Sequence, residues 1–334
     1  EIGFPPDPQL GHFAVGCFPL SKLLRKSPVE IAKTIAAAIP SDEVIESKAA
    51  AGPYINFRLS NRVFFSGAIN AILAAGDRYG DAAVGQNRRV MVEYLSPNTN
   101  KPLHLGHLRN AALGIAVARM LAAAGHRVVK SILINDRGVH ICKSMLAWER
   151  FGNGATPQSD GVKGDHFVGK WYVRYAVESE KDPAIEKAIQ EMLQKWEAGD
   201  PAILALWKQM NQWVYDGFAE TYRRFGMDFD EFYYESETYK LGKDVIGEGL
   251  RKRVFMTDER GNTVYHLPEK QFGLEKNGSP KKVTVLRPDG TSLYITQDIG
   301  TAILKVTQHQ LDSSVYVVGS EQEHHFKCLF AMLA

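Results

Sequence analysis

The stretch from Arg89 to Ile134 constrains the fold more than any other part of the chain. Val90-Met91-Val92-Glu93-Tyr94-Leu95 is a short, nearly continuous apolar run of the kind that forms a strand buried on both faces. A loop rich in Ser, Pro and Asn follows, then a long helical pattern from Leu105 to Ala124 and a second apolar run from Val128 to Ile134. Strand, loop, helix and strand at this spacing make a βαβ unit, which sets its two strands side by side and parallel. The expected fold class is therefore α/β with a parallel sheet. Ligands of such sheets bind beyond the carboxyl ends of the strands, so chemistry is expected in the loop from Ser96 to His107.

The chain has 334 residues, more than one hydrophobic core of about 250–300 residues usually fills. Residues 1–88 read as a small α+β domain. Ser27-Pro28-Val29-Glu30 supplies an N-cap, a first-turn proline and a capping-box glutamate ahead of the apolar-periodic run Ile31 to Ile39. Extended segments flank Gly52-Pro53, and Val63 to Ala75 reads as a helix closed by Gly76. Loop-forming residues from Gly76 to Asn87 mark a boundary, and residues 89–334 form the sheet domain. Two insertions are expected in it, a polar helical one at about 151–215 and one at about 254–290 rich in Gly, Lys and β-formers. No period of 20–50 residues repeats, which excludes a solenoid.

Composition narrows the function classes. Hydrophobic residues make up 45% and charged residues 23%, close to globular averages, so disordered, collagenous and coiled-coil readings fail. Lys+Arg 40 against Asp+Glu 38 leaves a net charge of +2, too small for a chain that coats nucleic acid through bulk charge, so a polyanion must be met locally. The three cysteines, Cys17, Cys142 and Cys328, are widely separated, which indicates neither a disulfide framework nor a cysteine zinc cage and suits a reducing, cytoplasmic location. The longest apolar stretch, Ala111 to Gly125, is broken by Arg119 and is too short to span a bilayer. A first residue of Glu and an apolar run ending at Ala334 are expected of a chain cut at both ends.

The loop reads Ser96-Pro97-Asn98-Thr99-Asn100-Lys101-Pro102-Leu103-His104-Leu105-Gly106-His107. Its two histidines, three apart at a helix start, share one face near the positive end of the helix dipole, which suits phosphate. Gly106 leaves room for a nucleobase or ribose against the backbone, and Lys101 adds an ammonium. The plainer reading makes His104 and His107 partly exposed helix-capping residues, and on the motif alone both readings stand. A zinc site would need ligands the neighbourhood lacks, so no protein-bound zinc is expected. The run Glu321-Gln322-Glu323-His324-His325 is read as solvated rather than metal-binding. Gly164-Asp165-His166-Phe167-Val168-Gly169-Lys170-Trp171 has the spacing of a phosphate loop, but it ends in Trp where a hydroxyl should bind magnesium and no strand precedes it. It belongs to the helical insertion instead.

The full run from Val92 to Asn110 resembles the signature segment of arginyl-tRNA synthetases. The likeness continues through Ile134-Asn135-Asp136-Arg137-Gly138, Trp196 to Asp200, Phe229-Asp230, Glu235-Ser236 and Val315 to Phe326. It implies a class I enzyme with a Rossmann-like catalytic domain, preceded by an additional N-terminal domain that approaches the elbow of tRNA. Carried over residue by residue, it implies arginine binding by Glu93, Asn98, Tyr294, Asp298 and Gln322. Glu93 and Asp298 would flank the guanidinium, and Asn98 and Gln322 would hold the amino acid's main-chain end. ATP would be bound by His104, Gly106 and His107, with catalysis by Lys101, His104 and His107 and with Mg2+ accompanying the nucleotide.

Tyr294 and Asp298, four apart, share one face if that segment is helical. The implied reaction joins arginine to tRNA(Arg) through arginyl-adenylate, by a monomer working without a membrane. The KMSKS-type loop and the anticodon-binding domain of the family do not occur in these 334 residues, so substrate binding with poor turnover is expected. Some relatives without that loop rely on a lysine just ahead of the HxGH motif, where Lys101 stands. The alternatives are an HxGH nucleotidyltransferase acting on a small molecule and a non-catalytic tRNA- or arginine-binding relative.

Overall fold

The computed structural model describes residues 2–334, which divide into two compact units, Glu1–Asp81 and Ala82–Ala334. The first contains β1 (Ile2–Gly3), β2 (Phe13–Gly16), α1 (Phe18–Leu24), α2 (Pro28–Ala38), β3 (Ile45–Ala51), β4 (Tyr54–Leu59) and α3 (Asn61–Ala75). Its sheet is antiparallel in the order β1-β2-β4-β3, and its core gathers Cys17, Ile31, Ala32, Ala36 and Ile55. Ser27 Oγ accepts from the Val29 N–H at 3.3 Å and caps α2. The reciprocal bond expected from Glu30 is not formed among the described residues, so the cap is a simple N-cap and not a box. The Gly52-Pro53 turn joins β3 to β4, with Gly52 at φ 58°.

The boundary falls at Asp81/Ala82, seven residues before the expected 88. Ala82, Gly85 and Asn87 donate backbone N–H groups to the carbonyls of Ala123, Ala124 and Gly125 at 2.7–2.9 Å. Those bonds satisfy carbonyls that a helix end leaves open, so loop composition alone misplaced the division.

The second unit runs β5 (Arg89–Tyr94), α4 (Leu105–Ala123), β6 (Arg127–Ile134), α5 (Val139–Phe151), α6 (Pro157–Asp160), α7 (Gly164–Ser179), α8 (Ala184–Glu197), α9 (Pro201–Phe225) and β7 (Glu231–Tyr234). It continues through α10 (Glu235–Thr238), α11 (Gly242–Arg251), β8 (Met256–Thr257), β9 (Thr263–His266), α12 (Glu269–Phe272), β10 (Lys282–Leu286), α13 (Tyr294–His309), β11 (Ser313–Val317) and α14 (Glu323–Leu333). β11, β5, β6 and β7 form a parallel sheet in that order, and β10, β9 and β8 form a small antiparallel one. The chain leaves β5 toward β6 on one side and returns last to β11 on the other. That reversal opens a crevice at the carboxyl ends of β5 and β11.

Helices fill residues 139–225 between β6 and β7, a longer stretch than the expected insertion. α9 continues past Val214 because Phe218 and Tyr222 extend its buried stripe, and it stops at Gly226, which caps it at φ 70°. Gly164 and Gly169, from the phosphate-loop look-alike, lie in α7. A Cβ on Gly164 would overlap the Trp213 carbonyl, and one on Gly169 would come within 2.7 Å of Pro102 Cδ, so these glycines serve close packing. Cys17, Cys142 and Cys328 are buried free thiols. Among the described residues no helix is long and apolar enough to cross a membrane.

α4 crosses β5 at Gly114, where a Cβ would lie 2.5 Å from Tyr94 Cβ. Tyr94 cannot yield: it is fully buried, its ring centroid is 4.8 Å from that of Phe229, and its hydroxyl donates to the Asp228 carbonyl at 3.1 Å. Alanine for glycine within a helix ordinarily adds about 1 kcal/mol of stability. Here Gly114→Ala is expected to remove roughly 1–3 kcal/mol through overpacking, read as a lower urea midpoint with an unchanged m-value.

Candidate functional site

The crevice is a cleft of about 950 Å³ bounded by Glu93 from β5, Leu95 just after it, Asn135 after β6, Val317 at the end of β11 with the residues that follow it to Gln322, and residues of α13. The first turns of α4 and α5 also line it, through His104, Gly106 and His107 on one and Val139, His140 and Ile141 on the other. Two helix N-termini on one cleft favour an anion there. The backbone turns out of β5 through left-handed conformations at Leu95 (φ 79°) and Ser96 (φ 42°), which for a branched residue such as Leu95 stores strain at the mouth of the site.

At the helix end, His104 caps α4. Its Nδ1 accepts from the Gly106 N–H and its own N–H donates to His107 Nδ1, both at 3.1 Å, and the two rings lie 3.9 Å apart. With both Nδ1 atoms accepting, each neutral ring carries its proton on Nε2. Burial, then the charges of His104 and Lys101, pull the His107 pKa down to about 4, so this ring is neutral at pH 7. The pair therefore offers two Nε2–H donors, that of His107 on an uncharged ring. A Cβ on Gly106 would meet His104 Cε1 at 3.0 Å, so the missing side chain makes room for the capping imidazole, and Gly106 also lines the cleft.

The other end is acidic. Glu93 is 6% exposed and its Oε2 forms an ion pair with Lys305 of α13. Asp298 Oδ2 meets His325 Nε2 of α14 at 2.6 Å. Glu235 has no ion-pair or hydrogen-bond partner among the described residues, and burial first, then Asp136 and Asp298, outweigh Arg137 and push its pKa to about 7. Tyr294, in the first turn of α13, is 51% exposed and lines the cleft. Burial first, then the charges of Asp298, Glu235 and Glu93, which line the same cleft, raise its pKa.

Arg137 anchors this wall: its guanidinium lies 3.9 Å from the Tyr239 ring centroid and bonds Glu197 at 2.8 Å. Beside it, Asp136 is 1% exposed and accepts from Ser236 N–H (2.8 Å), Ser236 Oγ (2.7 Å) and Tyr215 Oη (2.9 Å), while its carbonyl accepts from Trp207 and Asn211. Burial raises the Asp136 pKa against those hydrogen bonds.

Residues 68–334 match the family model "tRNA synthetases class I (R), catalytic domain", and residues 1–59 match "Arginyl tRNA synthetase N terminal domain". The chain belongs to the class I arginyl-tRNA synthetase family. The arginine–tRNA ligase of Treponema pallidum is 43% identical over 333 residues, 98% of this chain and 55% of its own length. That of Treponema denticola is 44% identical over 338 residues, 100% and 56%. The chain thus spans about half the length of the curated relatives it matches. The Thermus thermophilus arginyl-tRNA synthetase structure superposes with a TM-score of 0.62 at 27% identity, covering 92% of this chain and 49% of that one. The Plasmodium falciparum enzyme, 15% identical, shares the fold with a TM-score of 0.62 over 99% of this chain and 57% of that one.

Of the residues that family resemblance singled out, Glu93, Asn98, His104, Gly106, His107, Tyr294, Asp298 and Gln322 all line the cleft. Lys101 does not; it lies on the loop ahead of α4 and acts at a distance, its charge depressing His107 and His140. Glu93 and Asp298 are not a free pair of carboxylates awaiting a guanidinium, because each already holds a basic partner, Lys305 and His325. The run from Glu321 to His325 lies on a short 3-10 turn and the start of α14 rather than at a strand end, and His325 is engaged rather than solvated.

Sequence reasoning assigned no role to Lys305, Arg137 and the unpaired Glu235, which line the cleft, or to His325 as the partner of Asp298. Arg137, Glu235 and His325 fall inside segments of family likeness, whereas no signal marks Lys305. For His107 the outcome is direct: its ring carbon and proton NMR shifts should stay those of a neutral Nε2–H imidazole from pH 8 down to pH 5. Titration near 6.5 would refute the burial account.

Proposed function

We propose that this chain carries the amino-acid activation chemistry of an arginine–tRNA ligase. The observation that supports it most is one strand-end cleft with two imidazole Nε2–H donors at a helix N-terminus and three carboxylates around Tyr294 at its other end. ATP lies with its phosphates toward His104 and His107, and arginine with its guanidinium among Asp298, Glu235 and Tyr294 and its main-chain end toward Asn98 and Gln322. Glu93 contributes its remaining oxygen. The arginine carboxylate attacks the α-phosphorus, the bond to the bridging β-oxygen breaks, and pyrophosphate leaves as arginyl-adenylate forms. A hydroxyl of the tRNA 3′-terminal ribose then takes the arginyl group and AMP departs.

No side chain needs to act as a nucleophile. The histidines donate to phosphoryl oxygens that gain charge, and the cleft supplies alignment. Mg2+ would accompany the triphosphate, as the family implies, and would neutralise charge on its oxygens. tRNA(Arg) is the macromolecular partner, met in part by the N-terminal unit. A monomer in the cytoplasm suits the buried free thiols.

Acidic groups set around a planar fork of donors favour arginine over lysine. Calorimetric titration should show binding of arginine at least tenfold tighter than of lysine or ornithine. Asp298→Asn should weaken arginine roughly 30-fold, the worth of about 2 kcal/mol for a charge-assisted hydrogen bond, and leave ATP nearly unaffected. Equal losses for both ligands would defeat the pocket assignment.

Because Glu235 holds a proton below about pH 7, a guanidinium must displace it there. Arginine affinity is expected to rise from pH 5.5 to 7 with proton release and then level off, and Glu235→Gln should flatten that dependence. A slope retained in Glu235→Gln would assign it to another group.

A further inference from the structure

We propose that Lys305 is a positioning residue for substrate selection: its ammonium holds one oxygen of Glu93, so that the other faces the cleft as a hydrogen-bond acceptor whose charge is already balanced. The inference rests on the arginine reading above and deepens it. Lys305 is 2% exposed, lies on the same helix as Asp298, and reaches Glu93 across 212 residues of sequence. Its ammonium sits 5.0 Å from the Tyr233 ring centroid and 5.6 Å from that of Tyr316, two faces that favour a cation. Tyr233 is held from behind by His309, whose Nε2 lies 3.1 Å from its hydroxyl. Among the described residues Glu93 has no second ion-pair partner, and nothing in the protein donates to its Oε1.

A buried carboxylate without a partner would attract any cation that entered. With Lys305 in place, Glu93 has no net charge to offer and can reward only a correctly aimed N–H. A guanidinium meets that condition, because it can spend its charge on Asp298 and Glu235 while a further in-plane N–H reaches Glu93. A lysine ammonium has no planar fork to place there. Lys305 thereby makes this wall of the pocket a test of shape rather than of charge.

Titration of the 334-residue chain with arginine, lysine and ATP, alongside Lys305→Met and Lys305→Arg, decides it. Lys305→Met should lose at least fivefold in the arginine-to-lysine affinity ratio, because lysine binds more tightly once the Glu93 charge is unbalanced, with ATP affinity within twofold. Lys305→Arg should retain most of the ratio. Lys305→Met leaves a buried charge alone, so Glu93→Gln and the double variant Glu93→Gln/Lys305→Met complete a cycle in which both charges are removed together. Acting through Glu93, Lys305 should matter less than twofold in the Glu93→Gln background, and that comparison decides if the single variant does not fold. A folded Lys305→Met with unchanged affinity and selectivity, or equal losses with and without Glu93, would overturn the inference alone. Failure of the unaltered chain to bind arginine would overturn the arginine reading and this inference with it.

Discussion

One buried carboxylate, Asp136, holds the active wall in register. It follows β6, draws three hydrogen bonds from Tyr215 and Ser236, and offers its carbonyl to Trp207 and Asn211, so a strand, the long α9 helix and the start of α10 meet at one residue. Each donor left unsatisfied in such a place costs about 1–3 kcal/mol, which makes the junction cooperative rather than incidental. Its position explains its neighbours. Arg137 comes next in the chain and Glu235 immediately precedes Ser236, so a single knot delivers both a cation and an unpaired acid to the cleft.

The cleft keeps strong local fields in a nearly neutral chain by pairing most of its charges before any ligand arrives. Glu93 with Lys305, Asp298 with His325, and Arg137 with Glu197 are each paired within the protein, while Glu235 is a half-buried acid without an ion-pair partner among the described residues. At the opposite end burial keeps the His107 imidazole uncharged at pH 7. Net composition, +2 over 334 residues, conceals this division because opposite charges cancel in the count while remaining separate in space.

The parts of the protein that could be read in advance are those written locally. The βαβ unit follows from two apolar runs and the helix between them, and α2, α3 and α4 begin within a few residues of their sequence signals. Tyr294 and Asp298 line one cleft because four residues make one turn of α13. What could not be read is contact between distant segments. Lys305 lies among ordinary helical residues, and nothing near it announces Glu93; the same holds for His325 and Asp298, 27 residues apart on different helices. That His104 folds back over Gly106 could not be read either, because a side-chain rotation is encoded by no spacing rule. Lys101, read as a cation supplied by the loop ahead of the helix, stands on that loop and is not among the residues lining the cleft.

The capping bond of His104 has a consequence for how this fold can change over time. The imidazole that we place toward the phosphates also anchors the opening turn of the helix that carries His107, so the motif is mechanically one object. Drift at that position cannot trade chemistry against architecture, because unravelling the turn would scatter the second ring along with the first. Any workable replacement must be both a backbone acceptor and a phosphate donor, and few side chains of that length can do both.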